Sequence, residues 1–412
     1  MSAVKGNAVV GQSGGPTAAI NATLSGVIKG AFASEYIDKI YGMQHGAEGL
    51  IHKKFTLLNE VFANQDDLTL LELTPAAGLG SCRLKLPKYE EKPEVYKDIF
   101  ATFEEMNIKY FFYIGGNDSM DMVNKLSGYA AKIGSDVRVI GVPKTVDSDL
   151  MGTDHTPGYG SAAKYVATTV QEIVRDCAVY TTKAVTIVEV MGRDAGWLTA
   201  SAGLPRLIGC GAPDLIYMPE VDFCLEEFYE DVEKEFAKKP NLVIAVCEGI
   251  RFADGAYVGE GAQSGVRDTF GHKYLSGTAK YLTELVKEKF GCKVRAVDLN
   301  LPQRCAAHIG SLTDIEESVA IGKAAVEAAV SGKTGVTMAF IRKSTEPYVI
   351  EIGSVDVAEV ANQVYKVPRE FINERGNNVT DGCLRHILPL IQGETKVIYN
   401  KGMPVHFIIP KN

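Results

Sequence analysis

The stretch YFFYIGGNDSMD (110–121) decides the fold. An aromatic, apolar run ends at two glycines, and Asn-Asp-Ser then opens a stretch with helical periodicity. Strand, tight glycine turn and helix in so short a span are the first half of a βαβ unit. The same turn raises a functional question. Glycines let the backbone approach a ligand, and a helix start offers unpaired N–H groups to an anion. Ser119 as an N-cap, with Asp118 favouring the helix dipole, would equally make an ordinary helix start. On this stretch alone both readings stand.

The alternation recurs along the chain. NAVVG (7–11) precedes a helical pattern over 17–33, and VRVIGVPKT (137–145) runs into a polar loop. A helix over 161–180 leads to the strand AVTIVEVM (184–191). LVIAVCEG (242–249) and VRAVDLN (294–300) are further strands, with helices over 272–290 and 315–330. Unbroken β-branched runs separated by helices indicate parallel strands buried on both faces, hence a doubly wound α/β architecture. Ligands in such sheets bind beyond the carboxyl ends of the strands, which turns strand ends into a filter for motifs.

The 412 residues suffice for two domains or one large α/β unit, and 46% hydrophobic with 23% charged residues predicts a packed core. A net charge of −8 argues against a general nucleic-acid binder but leaves room for a local Lys/Arg cluster around a small phosphorylated ligand. The sequence shows no apolar leader with a cleavage site and no long apolar span, and its eight cysteines are scattered without metal-type spacing. Buried reduced thiols and a cytoplasmic location are the expectation, with no membrane partner. Residues 266–275 are a candidate hinge or loop.

Six polar clusters lie at strand ends. GQSGGPTAAIN (11–21) suits either a tight turn or an anion site, and matches neither the Walker nor the GxGxxG pattern. In the opening stretch, Asn117 or Asp118 could give oxygen to Mg²⁺. VPKTVDSDL (142–150) places Asp147 and Asp149 two apart beside Lys144, so one carboxylate can take a proton while the other helps hold a metal; an Asx-rich turn is the alternative. VEVMGRDAGW (188–197) supplies Arg193 after Gly192, and VCEGIR sets Glu248 at the end of an apolar strand. VRAVDLNLPQRCAAH (294–308) contributes Arg295 and Arg304, which suit phosphate through bidentate geometry or else form surface ion pairs. Together these make a phosphoryl-transfer site. A Ser–His–Asp site lacks a GxSxG, the histidines at 45, 52 and 406 have no motif around them, and zinc lacks ligand spacing.

Taken in order, GGPTAAIN (14–21), GSCRLK (80–85), GGNDS (115–119), PKTVDSD (143–149), GTDHTPG (152–158), EVMGR (189–193), CEG (247–249) and the arginines at 295 and 304 resemble the phosphofructokinase family, specifically its pyrophosphate-dependent members. The resemblance runs from about residue 7 to 345. It implies two doubly wound, Rossmann-like domains with the active site in the cleft between them: 1–158 plus about 303–345 for pyrophosphate and Mg²⁺, 159–302 plus about 346–412 for the sugar phosphate. The implied reaction moves a phosphoryl group from pyrophosphate to the 1-hydroxyl of fructose 6-phosphate, reversibly. Asp147 falls on the family's general base, with Lys144 and Arg193 also catalytic. Gly14, Gly15, Arg83, Gly116, Asp118, Ser119 and Lys144 fall on the donor site. Thr145, Asp147, Met191, Gly192, Arg193, Glu248, Arg295 and Arg304 fall on the sugar-phosphate site, and Asn117, Asp118 and Asp149 on the metal site.

Asp118 and Lys144 replace the glycines of ATP-using relatives. A carboxylate at 118 would occupy the volume of a nucleotide's α-phosphate and repel it, and Lys144 would neutralise pyrophosphate and the departing phosphate. Arg295 matches an arginine reaching a neighbouring subunit's site, which implies a homodimer or homotetramer. Three positions depart from the family pattern: Asn117 stands for an aspartate, Ala184 (beside Lys183) for a second cross-subunit arginine, and Leu301 for a histidine near the 6-phosphate. A longer sugar phosphate such as sedoheptulose 7-phosphate, an ATP-dependent enzyme, and a catalytically weak regulatory subunit are the competing readings. A nicotinamide dehydrogenase lacks its fingerprint.

Overall fold

The computed structural model describes residues 4–64, 66–211, 213–262 and 277–411. The candidate hinge at 266–275 and the start of the helix expected from 272 lie outside the described residues. Two sheets organise the rest. The first has the order β11-β10-β5-β4-β1-β2-β3, with β1 Gly6–Gln12, β2 Ile37–Met43, β3 Phe55–Leu57, β4 Ile108–Gly115, β5 Arg138–Pro143, β10 Val336–Thr345 and β11 Tyr348–Asp356. The second runs β7-β8-β6-β9, with β6 Ala184–Val190, β7 Leu215–Tyr217, β8 Asn241–Cys247 and β9 Lys293–Asp298.

Pairing is parallel through the middle of the first sheet and throughout the second. Only the outer strands β3 and β11 run antiparallel to their neighbours. Each helix connection returns the chain to the same end of the sheet, so successive strand ends collect on one side.

The period-2 alternation explains the layers. On β1 and β4, Ala8, Val10, Tyr110, Phe112 and Ile114 pack with the helices Ile20–Ala33 and Leu312–Val330. The intervening Val9, Phe111 and Tyr113 pack on the opposite face with the helices Pro93–Glu105 and Asn117–Ile133. The second sheet repeats the arrangement: Val188 and Val190 face the helix Tyr159–Cys177, while Val185 and Ile187 face the helices Leu225–Phe236 and Thr278–Phe290. Burying each such side chain contributes about 1.5–3 kcal/mol, so the aromatic run of β4 is a large share of the first core.

Two sequence expectations are corrected. Ser119 does not cap its helix: the helix starts at Asn117 with Gly116 as N-cap, and Ser119 is buried in the first turn. The hydroxyl packs against Gly115 so closely that a Cβ there would lie 2.0 Å from Oγ. The chain also does not leave the first unit near residue 346, because β10 and β11 form an antiparallel pair whose register continues from Val336↔Asp356 to Thr345↔Tyr348. A strand cannot be separated from its ladder partner without stranding backbone polar groups. The C-terminus returns to the first unit as well, with Phe407 against Phe62 at 5.1 Å and Ile409 buried in the first core.

Cys82, Cys177, Cys210, Cys247 and Cys383 are buried free thiols as expected, whereas Cys224 and Cys305 are exposed. Among the described residues no helix is long and apolar enough to cross a membrane.

Candidate active site

In the first sheet the chain turns to opposite sides after β1 and β4, and in the second β6 lies between β8 and β9. The crevices at these switch points face one another across a single cleft of about 720 Å³. Turns following β1, β4 and β5 bring Ser13, Gly14, Gly15, Gly116, Asn117, Asp118, Ser119, Lys144, Thr145, Asp147 and Asp149 to its wall. From the second sheet come Met191, Arg193, Asp194, Glu248, Leu301 and Arg304. Arg83 and Lys85 approach from the loop before the 93–105 helix.

Three strand-end turns are laced together. The Lys144 N–H donates to the Gly115 carbonyl at 3.0 Å, and the Ser13 N–H to the Ile114 carbonyl at 2.9 Å. The Lys144 ammonium donates to the Gly15 carbonyl at 2.7 Å. Gly14 has φ +76°, and a Cβ on it would sit 3.3 Å from that ammonium; one on Gly15 would lie 3.1 Å from an Arg304 nitrogen. The positive φ favours glycine at position 14, and at both positions a Cβ would crowd a cation that the turn admits.

Electrostatics in the cleft are poised rather than neutralised. Burial lowers the Lys144 ammonium to about 8 against the pull of Asp147, with Arg304 adding repulsion. Burial lowers Arg304 too, followed by repulsion from Arg83. Burial raises Asp147, although the charges of Arg193 and Lys144 oppose the shift. Asp149 rises to about 7 through burial and the neighbouring Asp147, and Glu248 to about 8 through burial and the same aspartate. Clustered cations with clustered carboxylates of raised pKa mark a site built to receive a charged ligand.

Local structure aims these groups. The Asp147 N–H donates to Thr145 Oγ1 at 3.2 Å, while the Thr145 carbonyl accepts from Thr156 at 2.6 Å. Gly192 has φ +143°, and a Cβ there would lie 2.5 Å from the Ala195 carbonyl and 2.9 Å from the Cys247 sulfur. Only glycine lets that loop fold back so that its N–H reaches Glu248 Oε1 at 3.3 Å.

Beyond Asp149 the loop is pinned by a buried network. His155 stacks on Phe340 at 4.5 Å and bonds Asp154 at 2.9 Å and Glu317 at 2.8 Å. Arg342 grips Asp154 through two bonds of 2.9 and 2.8 Å, and the Tyr348 hydroxyl donates to Glu317 at 2.7 Å. Burial disfavours the imidazolium, but the hydrogen bonds it donates to both carboxylates outweigh that and raise His155 to about 9. Because the folded value is above the unfolded one, the stabilisation is complete below about pH 6.5 and is lost as pH rises through 9. Denaturant titrations between pH 6 and 9.5 should show wild type losing a few kcal/mol relative to His155→Gln; parallel curves would refute the ion-paired assignment.

Residues 7–329 match the family pattern described as Phosphofructokinase. The chain belongs to the phosphofructokinase family. It is 40% identical to the pyrophosphate–fructose 6-phosphate 1-phosphotransferase of Methylococcus capsulatus, over 97% of this chain and 94% of that protein. Solved structures of pyrophosphate-dependent phosphofructokinases from Marinobacter aquaeolei and Nitrosospira multiformis match with TM-scores of 0.85 and 0.88 at 35% and 34% identity. The first match covers 99% of this chain and 98% of that one, the second 99% of each.

Some residues flagged from the phosphofructokinase resemblance stand apart from the cleft. Arg295 lies on the edge strand β9, half-buried in a shallow recess with Ala184, Tyr180 and Lys293. Lys183 is turned toward the Phe236 ring at 4.9 Å. Leu301 does line the cleft, and is 53% exposed.

Sequence reasoning missed several members. Lys85 pairs with Asp118 at 2.8 Å, so the carboxylate at the donor turn is held by a cation. Asp194, ion-paired with Arg251, adds negative charge beside Asp147. Buried Gln303 accepts from the Met191 N–H at 3.1 Å and fixes the loop carrying Arg193. All three lie in stretches already singled out, GSCRLK, VEVMGRDAGW and VRAVDLNLPQRCAAH; what the sequence did not show was the partner each would hold.

Proposed function

We propose that this chain is a pyrophosphate-dependent phosphofructokinase, an enzyme that transfers a phosphoryl group from pyrophosphate to the 1-hydroxyl of fructose 6-phosphate. The products are fructose 1,6-bisphosphate and phosphate, and the reaction is reversible, as glycolysis and gluconeogenesis both require. The observation that carries the donor assignment is the Lys144 ammonium held at the Gly14–Gly15 turn while the Asp118–Lys85 pair occupies the neighbouring wall. Such a wall offers cations to a short anion and a carboxylate to anything longer. Full-length relatives named for the pyrophosphate reaction support the same reading.

Asp147 takes the proton of the 1-hydroxyl as its oxygen attacks the terminal phosphorus. The bridging P–O bond breaks, and its electron pair leaves with the phosphate, whose charge Lys144 and Arg193 balance. Gly14, Gly15, Arg83, Gly116, Asp118 and Ser119 frame the donor. Thr145, Met191, Gly192, Glu248 and Arg304 frame the sugar phosphate, with Arg295 supplied by a neighbouring copy in a homodimer or homotetramer. The first sheet thus forms the donor unit and the second the acceptor unit.

Among the described residues no three His, Cys, Asp or Glu side chains are grouped to hold a metal by themselves. One carboxylate on the cleft wall, that of Asp149, suits Mg²⁺, which takes one or two carboxylates plus substrate phosphates. Asp149 would hold it; Asp118 is already paired with Lys85, and the Asn117 oxygen already accepts from the Asn362 N–H. Bound Mg²⁺ would neutralise charge on the donor oxygens. The cytoplasm is the proposed setting.

Purified protein should form bisphosphate from fructose 6-phosphate and Mg²⁺ with pyrophosphate, and not with ATP. Turnover with ATP alone would overturn the donor assignment, and none with either donor would favour a regulatory subunit.

A further inference from the structure

Residues 361–367 (ANQVYKV) cross the cleft wall without regular secondary structure, yet they are tied at every second or third residue. At the donor turn, both ends of the Asn117 amide are engaged. Its oxygen accepts from the Asn362 N–H at 2.7 Å, and its nitrogen donates to the Gln363 carbonyl. Asn362 adopts φ +62° to make this contact and reaches back to Asp121 at 3.4 Å. Further on, the Tyr365 N–H donates to the Asp149 carbonyl at 2.8 Å and the Trp197 indole N–H donates to the Tyr365 carbonyl at 3.2 Å. Val367 N–H donates to Glu220 Oε1 at 2.9 Å, an oxygen that also accepts from the Gly196 N–H at 2.8 Å. Donor turn, metal-side loop and sugar-side loop are therefore joined through one strap.

The strap presents Asn362 and Val364 to the cleft, beside Gly116, Asn117 and Asp118. Val364 is 37% exposed, an apolar side chain on the wall of an anion site. It gives no hydrogen bond to a phosphate. On the same wall the Asp118 carboxylate and the Lys85 ammonium are committed to each other. A donor longer than pyrophosphate would meet an apolar surface and a carboxylate where its next phosphoryl group must go, and desolvating that group without partners is costly.

We propose that this strap, clamped by Asn117, limits the length of the phosphoryl donor. The inference rests on the pyrophosphate reading and deepens it: Asp118 opposes a nucleotide, while the strap opposes any third phosphoryl group. Asn117 is here a positioning residue rather than a metal ligand. That explains an amide at this position, because an aspartate would keep the bond from the Asn362 N–H but set a carboxylate against the Gln363 carbonyl.

The test compares pyrophosphate with inorganic tripolyphosphate, by calorimetric binding and by turnover with fructose 6-phosphate. Wild type should prefer pyrophosphate in both. Asn117→Ala, Asn117→Asp and Val364→Gly should each narrow that preference by roughly three- to tenfold, the cost of one or two hydrogen bonds or an apolar contact. Hydrogen exchange of the Asn362 amide should quicken in Asn117→Ala while the melting temperature stays within a few degrees of wild type. Unchanged preference in the three variants, with pyrophosphate turnover intact, overturns the strap and leaves the pyrophosphate reading standing. A lower Mg²⁺ requirement with unchanged preference in Asn117→Asp also overturns it, since that is the signature of a metal ligand. Wild type that binds neither donor defeats the pyrophosphate reading, and the strap falls with it.

Discussion

Replacing Asp147 by Asn should lower kcat by roughly 10²–10⁴, the usual cost of losing a general base, with a much smaller change in KM for fructose 6-phosphate. The side chain lines the cleft between the donor turns and Arg193, on a loop fixed by Thr145 and the His155 network. Asn keeps the volume and cannot accept the proton as a carboxylate does. Burial holds Asp147 above the usual carboxylate range, and Asp149 at about 7 titrates with it. Because the base works deprotonated, kcat/KM should rise with pH across an acidic limb displaced toward neutrality, and the limb belongs to the pair. In Asp147→Asn that limb should collapse along with the rate. A variant with near-normal turnover and an unchanged acid limb would remove Asp147 from proton transfer.

The second large effect is expected at Lys144. Lys144→Met should reduce kcat with pyrophosphate by roughly 10²–10³, as for loss of one preorganised group facing charge that develops in the transition state. This ammonium must be protonated to serve, and burial brings it to about 8 in the free chain. The sign is therefore opposite to that of Asp147: kcat/KM should fall as pH rises through 8. Lys144→Arg should carry that basic limb upward, because a guanidinium stays charged. Retention of the limb near 8 in the arginine variant would assign it to another group, with Glu248 the first candidate since it titrates near the same pH.

How much of this was legible in the sequence depended on how local the determinants were. The strands at 108–115, 138–143, 184–190 and 241–247 announce themselves because parallel strands buried on both faces read as apolar runs. Their polar ends then mark the cleft without further information. β10 and β11 carried a weaker signal: only 337–340 of Val336–Thr345 form a buried run, and Tyr348–Asp356, at the sheet edge, has no fully buried residue. The boundary placed near residue 346 failed there. At the site, Lys144, Asp147 and Asp149 sit in one short loop, so their juxtaposition needed no tertiary knowledge. The clamp on Asn117 was not legible, because its partners, Asn362 and Gln363, lie hundreds of positions away, and no periodicity reports a hydrogen bond of that kind.

The lacing of the three strand-end turns bears on how such a protein could be altered by recombination. Lys144 reaches the backbone of Gly15 with its side chain and of Gly115 with its own N–H, and Ser13 reaches Ile114. Exchanging the 142–150 turn alone for a version without this lysine removes the ammonium that holds the Gly15 carbonyl. Chimeras that import a single turn should lose donor binding altogether, whereas chimeras that import 11–21, 114–121 and 142–150 as a set inherit a complete interlocking module. Inheritance of donor preference in this fold is thus a property of three separated segments moving together, and drift at one of them is held in check by the other two.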